Sequence, residues 1–166
     1  MVLDRINKIV FACESSRTSI NALEIFCKKL NYSSVVFEAV NDDLPIYHTN
    51  VMMSLGQETA FICSESIKDQ KDIKHIHKLF GISKRKIIEL SIAQMIQFAG
   101  NVLEVENTKG QSHLIMSEKA YQSLEAPQIQ LISQSSKIIS IPLDTIEKYG
   151  GGSARCMIAE IFLQKS

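Results

Sequence analysis

The feature that most constrains the fold is a repeated order of predicted strands and helices. Apolar runs of strand length alternate with segments in which apolar residues recur at helical spacing. The predicted strands cover residues 6–13, 34–40, 50–55, 59–63, 86–90, 101–106, 113–116, 137–142 and 157–163, and the predicted helices cover 17–30, 66–80, 91–98, 117–124 and a segment that Pro127 opens. A strand–helix–strand unit therefore precedes two hairpin–helix–strand units and a final strand. This order predicts an α/β fold of degenerate ββαβ units with a period of about fifty residues, as in propellers and related arrays.

Composition excludes several classes of function. The chain has 166 residues, which suits one domain, and its 18 basic residues balance 18 acidic ones. Without a net positive field, neither nucleic acid nor an anionic membrane is an expected partner. No apolar run reaches the length of a membrane span. The four cysteines lie far apart, without CxxC pairs or metal-ligand spacing, so we expect a cytoplasmic protein without disulfides or a metal. No other cofactor is expected, because the cysteine–histidine chemistry described below needs none.

The most distinctive local motif is a glycine run followed by a cysteine. Gly150, Gly151 and Gly152 precede Ser-Ala-Arg and then Cys156, which would open the final strand. Glycines allow close approach of backbone to a ligand, and Arg155 places a positive charge beside the thiol, a setting expected of a nucleophile. The alternative is a buried structural cysteine at the start of a core strand.

His48 is the best partner for this cysteine. Units arranged around an axis would bring the starts of their hairpins to one central cavity, and His48, Asn101 and Cys156 all lie at such starts. A cysteine and a histidine together suit acyl- or amidine-transfer chemistry, in which the thiolate attacks an sp² carbon. As alternatives, His48 is a turn residue bonded to backbone, and Asn101 is a turn residue with positive φ. Cys13, Cys27 and Cys63 are interpreted as packing residues.

Five segments carry a resemblance to a known family: residues 1–5, 47–53, 98–101, 145–147 and 150–157. The chain resembles the amidinotransferase and arginine deiminase-related group of the pentein superfamily, most nearly its citrulline-utilization and dimethylarginine dimethylaminohydrolase types. The resemblance implies a five-fold pseudosymmetric α/β propeller of ββαβ units, with Cys156 and His48 catalytic. It also implies an acidic residue that orients the histidine, in a segment ahead of Met1. Asn50 stands where arginine deiminases carry a substrate-binding Asp.

The resemblance implies a function for the chain and implies that the chain contains only part of the propeller. Residues 1–166 would form one domain, the C-terminal blades of a partial propeller without its N-terminal blades. The chain would belong to a hydrolase or amidinotransferase that cleaves a C–N bond of a guanidino or ureido amino acid through a covalent thiol intermediate. Expected substrate contacts are Asn50, Asn101, Arg155 and Gly152, although both asparagines have a turn-shaping alternative. The competing hypothesis is an inactive truncated fragment or a non-catalytic binding module. The open edge predicts a homo-oligomer.

Overall fold

Small three-stranded sheets and intervening helices make up the part of the chain that the computed structural model describes, residues 1–161. The strands are β1 (Val2–Asp4), β2 (Ile9–Cys13), β3 (Ser33–Phe37), β4 (Val40–Asn41), β5 (Leu44–Pro45), β6 (Met53–Leu55), β7 (Thr59–Ile62), β8 (Lys86–Glu89), β9 (Leu103–Glu106), β10 (Ser112–Ser117) and β11 (Lys137–Ile141). The helices are α1 (Ile20–Leu30), α2 (Gln70–Ile82), α3 (Ile92–Ile96), α4 (Glu118–Ser123), α5 (Ala126–Ile132) and α6 (Asp144–Gly150). The predicted α/β class is therefore confirmed.

Each three-stranded sheet has the same topology, which is that of a ββαβ unit. The sheets are β1-β2-β3, β6-β7-β8 and β9-β10-β11. In each, the first two strands form an antiparallel hairpin, and the last strand returns through a helical segment to pair in parallel with the second. The first strands are neighbours in space, since β1 contacts β6 and β6 contacts β9. Within residues 1–161, no helix has the length and apolar character needed to cross a membrane.

The first unit contains a hairpin that the sequence analysis missed. Residues 6–13 were predicted as one strand, but residues 5–8 form a turn between β1 and β2. The Asn7 backbone N–H donates to Asp4 Oδ1 at 3.1 Å, and Lys8 has a positive φ of 55°. Ile6, read as a buried strand residue, is 72% exposed. Asx-type hydrogen bonding in the turn thus overrides the apolar run.

Several predicted boundaries were also wrong. Helix α1 begins at Ile20 because the Ser19 side chain caps it, and residues 15–18 form a bridged turn instead. Helix α2 begins after its cap, Asp69, and ends at Ile82. These errors share a cause, since side-chain caps decide a helix start more sharply than apolar spacing does.

The region around the glycine run differs most from the prediction. Helix α6 was not predicted, and it precedes Gly151, whose φ is +67°. The final strand predicted at 157–163 is absent as far as residue 161, and its last two residues lie outside the described part of the chain. A single 3₁₀ turn, Ala154–Met157, stands at the position of the cysteine instead.

One apolar core joins the three units. The rings of Phe11 and Phe80 pack with centroids 5.4 Å apart, and buried residues of β7, β8 and β10 continue the same cluster. Cys13, Cys27 and Cys63 are buried, which confirms their interpretation as packing residues. Because the units share a core, the ends of their strands are held in fixed relative positions.

Candidate active site

A cleft of 960 Å³ lies beside the neighbouring first strands β1, β6 and β9 and the segment that follows α6. Its lining includes four of the six predicted site residues, namely His48, Asn50, Arg155 and Cys156. His48 and Cys156, about a hundred positions apart in sequence, thus line one cleft, whereas Asn101, which was expected to face the same cavity, does not line it. The cleft is large enough for an amino-acid-sized ligand.

Cys156 is exposed in this cleft, whereas the other three cysteines are buried. It lies on the 3₁₀ turn that follows Gly151 and Gly152. The alternative of a buried cysteine opening a core strand is therefore wrong. A thiol that is accessible beside a cleft satisfies the first requirement for a nucleophile.

Two side-chain amides point at the sulfur. Asn101 Nδ2 lies 3.2 Å from Cys156 Sγ, and Asn50 Nδ2 lies 3.5 Å from it. Both groups are donors, and a thiolate accepts hydrogen bonds from amides better than a thiol does. Asn101 itself is only 2% exposed. Its φ is not positive, and the left-handed residue of this turn is Phe98, with φ of 65°.

The loop that carries the sulfur is tied to Asn101 by further hydrogen bonds. Asn101 Oδ1 accepts from the Ser153 N–H at 3.1 Å and from the Cys156 N–H at 3.4 Å, the latter also donating to the Ser153 carbonyl at 3.0 Å. The Arg155 N–H donates to the Asn101 carbonyl at 3.2 Å. Asn101 therefore hydrogen-bonds to Ser153, Arg155 and Cys156 of the turn that positions the thiol.

Gly152 lies directly against the cysteine side chain. A Cβ added at Gly152 would lie 2.9 Å from Cys156 Cβ and 3.0 Å from its Sγ. The φ of Gly152 is not in the left-handed region, so backbone conformation does not require a glycine here. The close approach of the Cys156 side chain does, because it leaves no room for a Cβ.

We expect Gly152→Ala to displace the Cys156 side chain and slow its alkylation by iodoacetamide about tenfold, the effect of a barrier increase near 1.4 kcal/mol. Gly150→Ala is the matched control, because a Cβ there meets only Ile146 Cγ2, at 3.7 Å. Rates are measured by mass spectrometry of the Cys156 peptide. Equal rates in the two variants would contradict the predicted steric role.

His48 stands at the mouth of the second hairpin. It precedes a 3₁₀ turn, Thr49–Val51, rather than the strand predicted at 50–55. The turn is anchored because buried Thr49 accepts the Cys13 N–H on its Oγ1 at 3.0 Å. The His48 ring is exposed and packs edge-on against Tyr47, with centroids 4.9 Å apart.

The His48 imidazole is set up to be neutral. Partial desolvation lowers the pKa of this solvent-exposed ring, and the positive charges of the Met1 amino terminus and of Arg17 act in the same direction. A neutral imidazole near neutral pH is the form that accepts a proton. Among residues 1–161, no hydrogen bond to the His48 ring is found, while the His48 carbonyl accepts the Val51 N–H at 3.0 Å at the start of the turn.

Arg155 does not point a free cation into the cleft. Its guanidinium donates to Glu160 Oε2 at 3.0 Å and to the Ile158 carbonyl at 3.2 Å. The local positive charge near the thiol is therefore partly neutralised by an ion pair that sequence reasoning did not predict.

Sequence reasoning also missed a buried acidic residue behind the cysteine loop. Glu147 is 6% exposed and accepts the Ser153 hydroxyl on Oε1 at 2.6 Å, while its Oε2 is buried without a partner in the described structure. Recognising 144–150 as a helix would have placed Glu147 one turn after Leu143, on the inner face.

The comparisons with known proteins give the family and the fold of the chain. A sequence profile of the family described as N,N dimethylarginine dimethylhydrolase, eukaryotic, matches residues 1–163. No curated protein sequence gives a significant match. The structure is similar to the N-terminal domain of ArgZ in a form covalently bound to a reaction intermediate, with a TM-score of 0.72, 20% identity, and coverage of 94% of this chain and 52% of that domain.

Two further structures are similar at comparable identity. The apo structure of ArgZ, an arginine dihydrolase from the ornithine–ammonia cycle in cyanobacteria, has a TM-score of 0.74 and 18% identity, over 99% of this chain and 25% of that one. SxtG, an amidinotransferase from Microseira wollei in the saxitoxin pathway, has a TM-score of 0.60 and 17% identity, over 90% and 41% of the respective chains. The present chain spans about half the length of the ArgZ N-terminal domain.

Proposed function

The chain belongs to the N,N dimethylarginine dimethylhydrolase family, eukaryotic type, within the pentein superfamily, and on that premise we propose that it forms part of an enzyme that cleaves a C–N bond of a guanidino or ureido amino acid. The observation that carries the proposal is the exposed Cys156 Sγ in one cleft with His48, receiving hydrogen bonds from two amides. The covalent intermediate seen on the ArgZ domain supports a thiol-bound path.

The proposed reaction has two halves. In the first, the Cys156 thiol proton passes to His48, Sγ bonds to the central sp² carbon, and the C–N bond breaks as His48 returns that proton to the leaving nitrogen. In the second, His48 takes a proton from water and the water oxygen bonds to the same carbon. The C–S bond then breaks, Cys156 leaves as a thiolate and regains the proton from His48, and the new hydroxyl group loses its proton to solvent as the product carbonyl forms. The lowered pKa of His48 keeps the imidazole neutral at the start of each half, which is the form that can accept a proton.

We propose that Asn50, Arg155 and Gly152 border the bound substrate. Asn50 lies beside Sγ and offers a neutral amide, which suits a ureido or substituted guanidino group better than it suits a full guanidinium charge. Gly152 leaves the space in front of the sulfur open. Arg155, through its ion pair with Glu160, would hold the wall of the cleft.

We further propose that the chain forms the C-terminal blades of a five-bladed propeller. The successive contacts of β1, β6 and β9 support this arrangement, as does the half-length coverage of the ArgZ domain. The remaining blades, from a preceding segment or from a second copy, would supply the carboxylate that orients His48. If a second copy supplies the remaining blades, light scattering should show a homo-oligomer. A monodisperse monomer would count against completion of the propeller by a second copy.

The competing function is a non-catalytic module or inactive fragment of the same fold. One observation favours it: within residues 1–161 the His48 ring has no hydrogen-bonding partner. An unoriented imidazole would be a poor general acid and base.

The deciding experiment measures amine and ureide products from arginine, N-methylated arginines and citrulline. It uses the 166-residue chain and the same chain extended at its N-terminus, each with a Cys156→Ala control. Cys156-dependent product in either form supports the hydrolase. Product formation that persists in the controls, or its absence from both forms across the panel, overturns the proposed activity in favour of the binding module.

A further inference from the structure

We propose that Asn101 is a positioning residue that holds the cysteine turn in place and donates a hydrogen bond to the Cys156 sulfur, rather than a substrate contact. This inference rests on the proposed function, since it assigns a role to the nucleophile of that reaction. It differs from the expectation drawn from the sequence, in which Asn101 touches the substrate.

The hydrogen-bonding capacity of the Asn101 amide is fully used by protein. An asparagine amide has two N–H donors and an oxygen with two acceptor sites. Nδ2 donates to the Asn50 carbonyl at 2.9 Å and to Cys156 Sγ at 3.2 Å. Oδ1 accepts the backbone N–H groups of Ser153 and Cys156. No donor or acceptor is left over for a ligand.

The orientation of this amide follows from its partners. Exchanging its oxygen and nitrogen would place Oδ1 against a carbonyl oxygen and place Nδ2 against two N–H groups, all unfavourable. The backbone is equally confined, because a Cβ at Gly100 would lie 2.5 Å from the Val51 carbonyl oxygen. Asn101 is therefore held rigidly between the His48 turn and the cysteine turn.

One amide thus performs two separable tasks. Its oxygen holds the backbone of the cysteine turn, and its nitrogen donates to the sulfur and to the Asn50 carbonyl. Asn101→Asp separates them, because a carboxylate keeps the acceptor at nearly the same shape while it removes the donor and adds a negative charge beside the sulfur. A like charge disfavours formation of the thiolate.

The test is the pH–rate profile of iodoacetamide alkylation at Cys156, read by peptide mass spectrometry. We expect the profile of Asn101→Asp to move to higher pH by about one unit or more, so that labelling near neutral pH slows about tenfold. Asn107→Asp is the matched control, since Asn107 lies in the exposed β9–β10 turn, and its profile should not move. An unchanged profile in a folded Asn101→Asp protein would overturn the proposal.

A second measurement needs no variant at position 101. The side-chain amide resonances of Asn101 in the unaltered chain should shift with pH at the midpoint of the alkylation profile, and this shift should vanish in Cys156→Ser. Resonances that ignore the ionisation of the thiol would also overturn the proposal. Neither measurement uses a substrate. Failure of the proposed hydrolysis can therefore be told apart from failure of the proposed role of Asn101.

Discussion

Replacing Cys156 with serine is expected to lower product formation by at least about 10³-fold in whichever form of the chain is active. A serine hydroxyl is almost entirely protonated near neutral pH and is a far weaker nucleophile than a thiolate. Serine is the informative replacement because it is nearly the same size and can still accept the hydrogen bond from Asn101. Fold and binding should therefore persist while the chemistry stops. Turnover above a hundredth of the original rate would contradict the role of nucleophile.

The Cys156→Ser variant also serves in a count of the cysteines that react with iodoacetamide. Native protein should take up one iodoacetamide group, at Cys156, and none in Cys156→Ser, because the other three cysteines are buried. Burial also raises the pKa of the Cys13 thiol, and it raises that of Cys63 to about 11, which suppresses their thiolates. In denaturant all four cysteines of the sequence should react. Uptake of a second group by native protein would show that the described burial is incomplete.

The order of elements and the family resemblance together predicted that Cys156 and His48 lie close to each other, and both residues line one cleft. Their catalytic roles belong to the proposed function. The environment of each residue was not predictable in this way. Whether Cys156 was buried depended on a turn that replaced the expected strand, and that turn is stabilised by Asn101, 55 positions away.

The errors in the fold have the same origin. An apolar run at 6–13 favoured one strand, and only the hydrogen bonds between Asp4 and Asn7 convert its first residues into a turn. The ion pair between Asp4 and Arg85 also depends on a contact across the structure rather than on local pattern. Periodicity predicts which faces are apolar, whereas polar side chains decide where elements begin and end.

The largest effect on stability is expected at the ion pair between Asp4 and Arg85. Arg85 donates to both carboxylate oxygens, at 2.5 and 3.2 Å, and through Nε to the Gly56 carbonyl at 2.8 Å. Both side chains are 3% exposed, and the pair joins the first ββαβ unit to the second. Asp4→Asn would leave the Arg85 charge buried without a counter-charge, and we expect it to lower the free energy of unfolding by about 3–5 kcal/mol.

A double variant and a surface control test the origin of that loss. Asp4→Asn with Arg85→Met removes both charges, so its loss in urea unfolding should be smaller than the sum of the two single losses. The exposed pair of Lys68 and Glu38 serves as control, and Lys68→Met should have little effect on unfolding because solvent screens that pair. Losses that simply add in the double variant would show that the buried charges do not interact.

The free energy of unfolding should also show the contribution of Asp4 through its dependence on pH in the acid range. Burial alone would raise the pKa of Asp4, but hydrogen bonds from Arg85 and Asn7 outweigh it, so the pKa lies below its ordinary value of 3.8. A carboxylate with a lowered pKa stabilises the fold above its unfolded-state pKa, and this contribution is lost as the pH falls through the lower, folded-state value. In the Asp4→Asn variant the loss is already present at neutral pH. The gap between the two proteins should therefore be widest near neutral pH and narrow as the pH falls below about 4. A gap that stays constant down to pH values well below the folded-state pKa would mean that the Asp4 charge is not what stabilises the junction between the units.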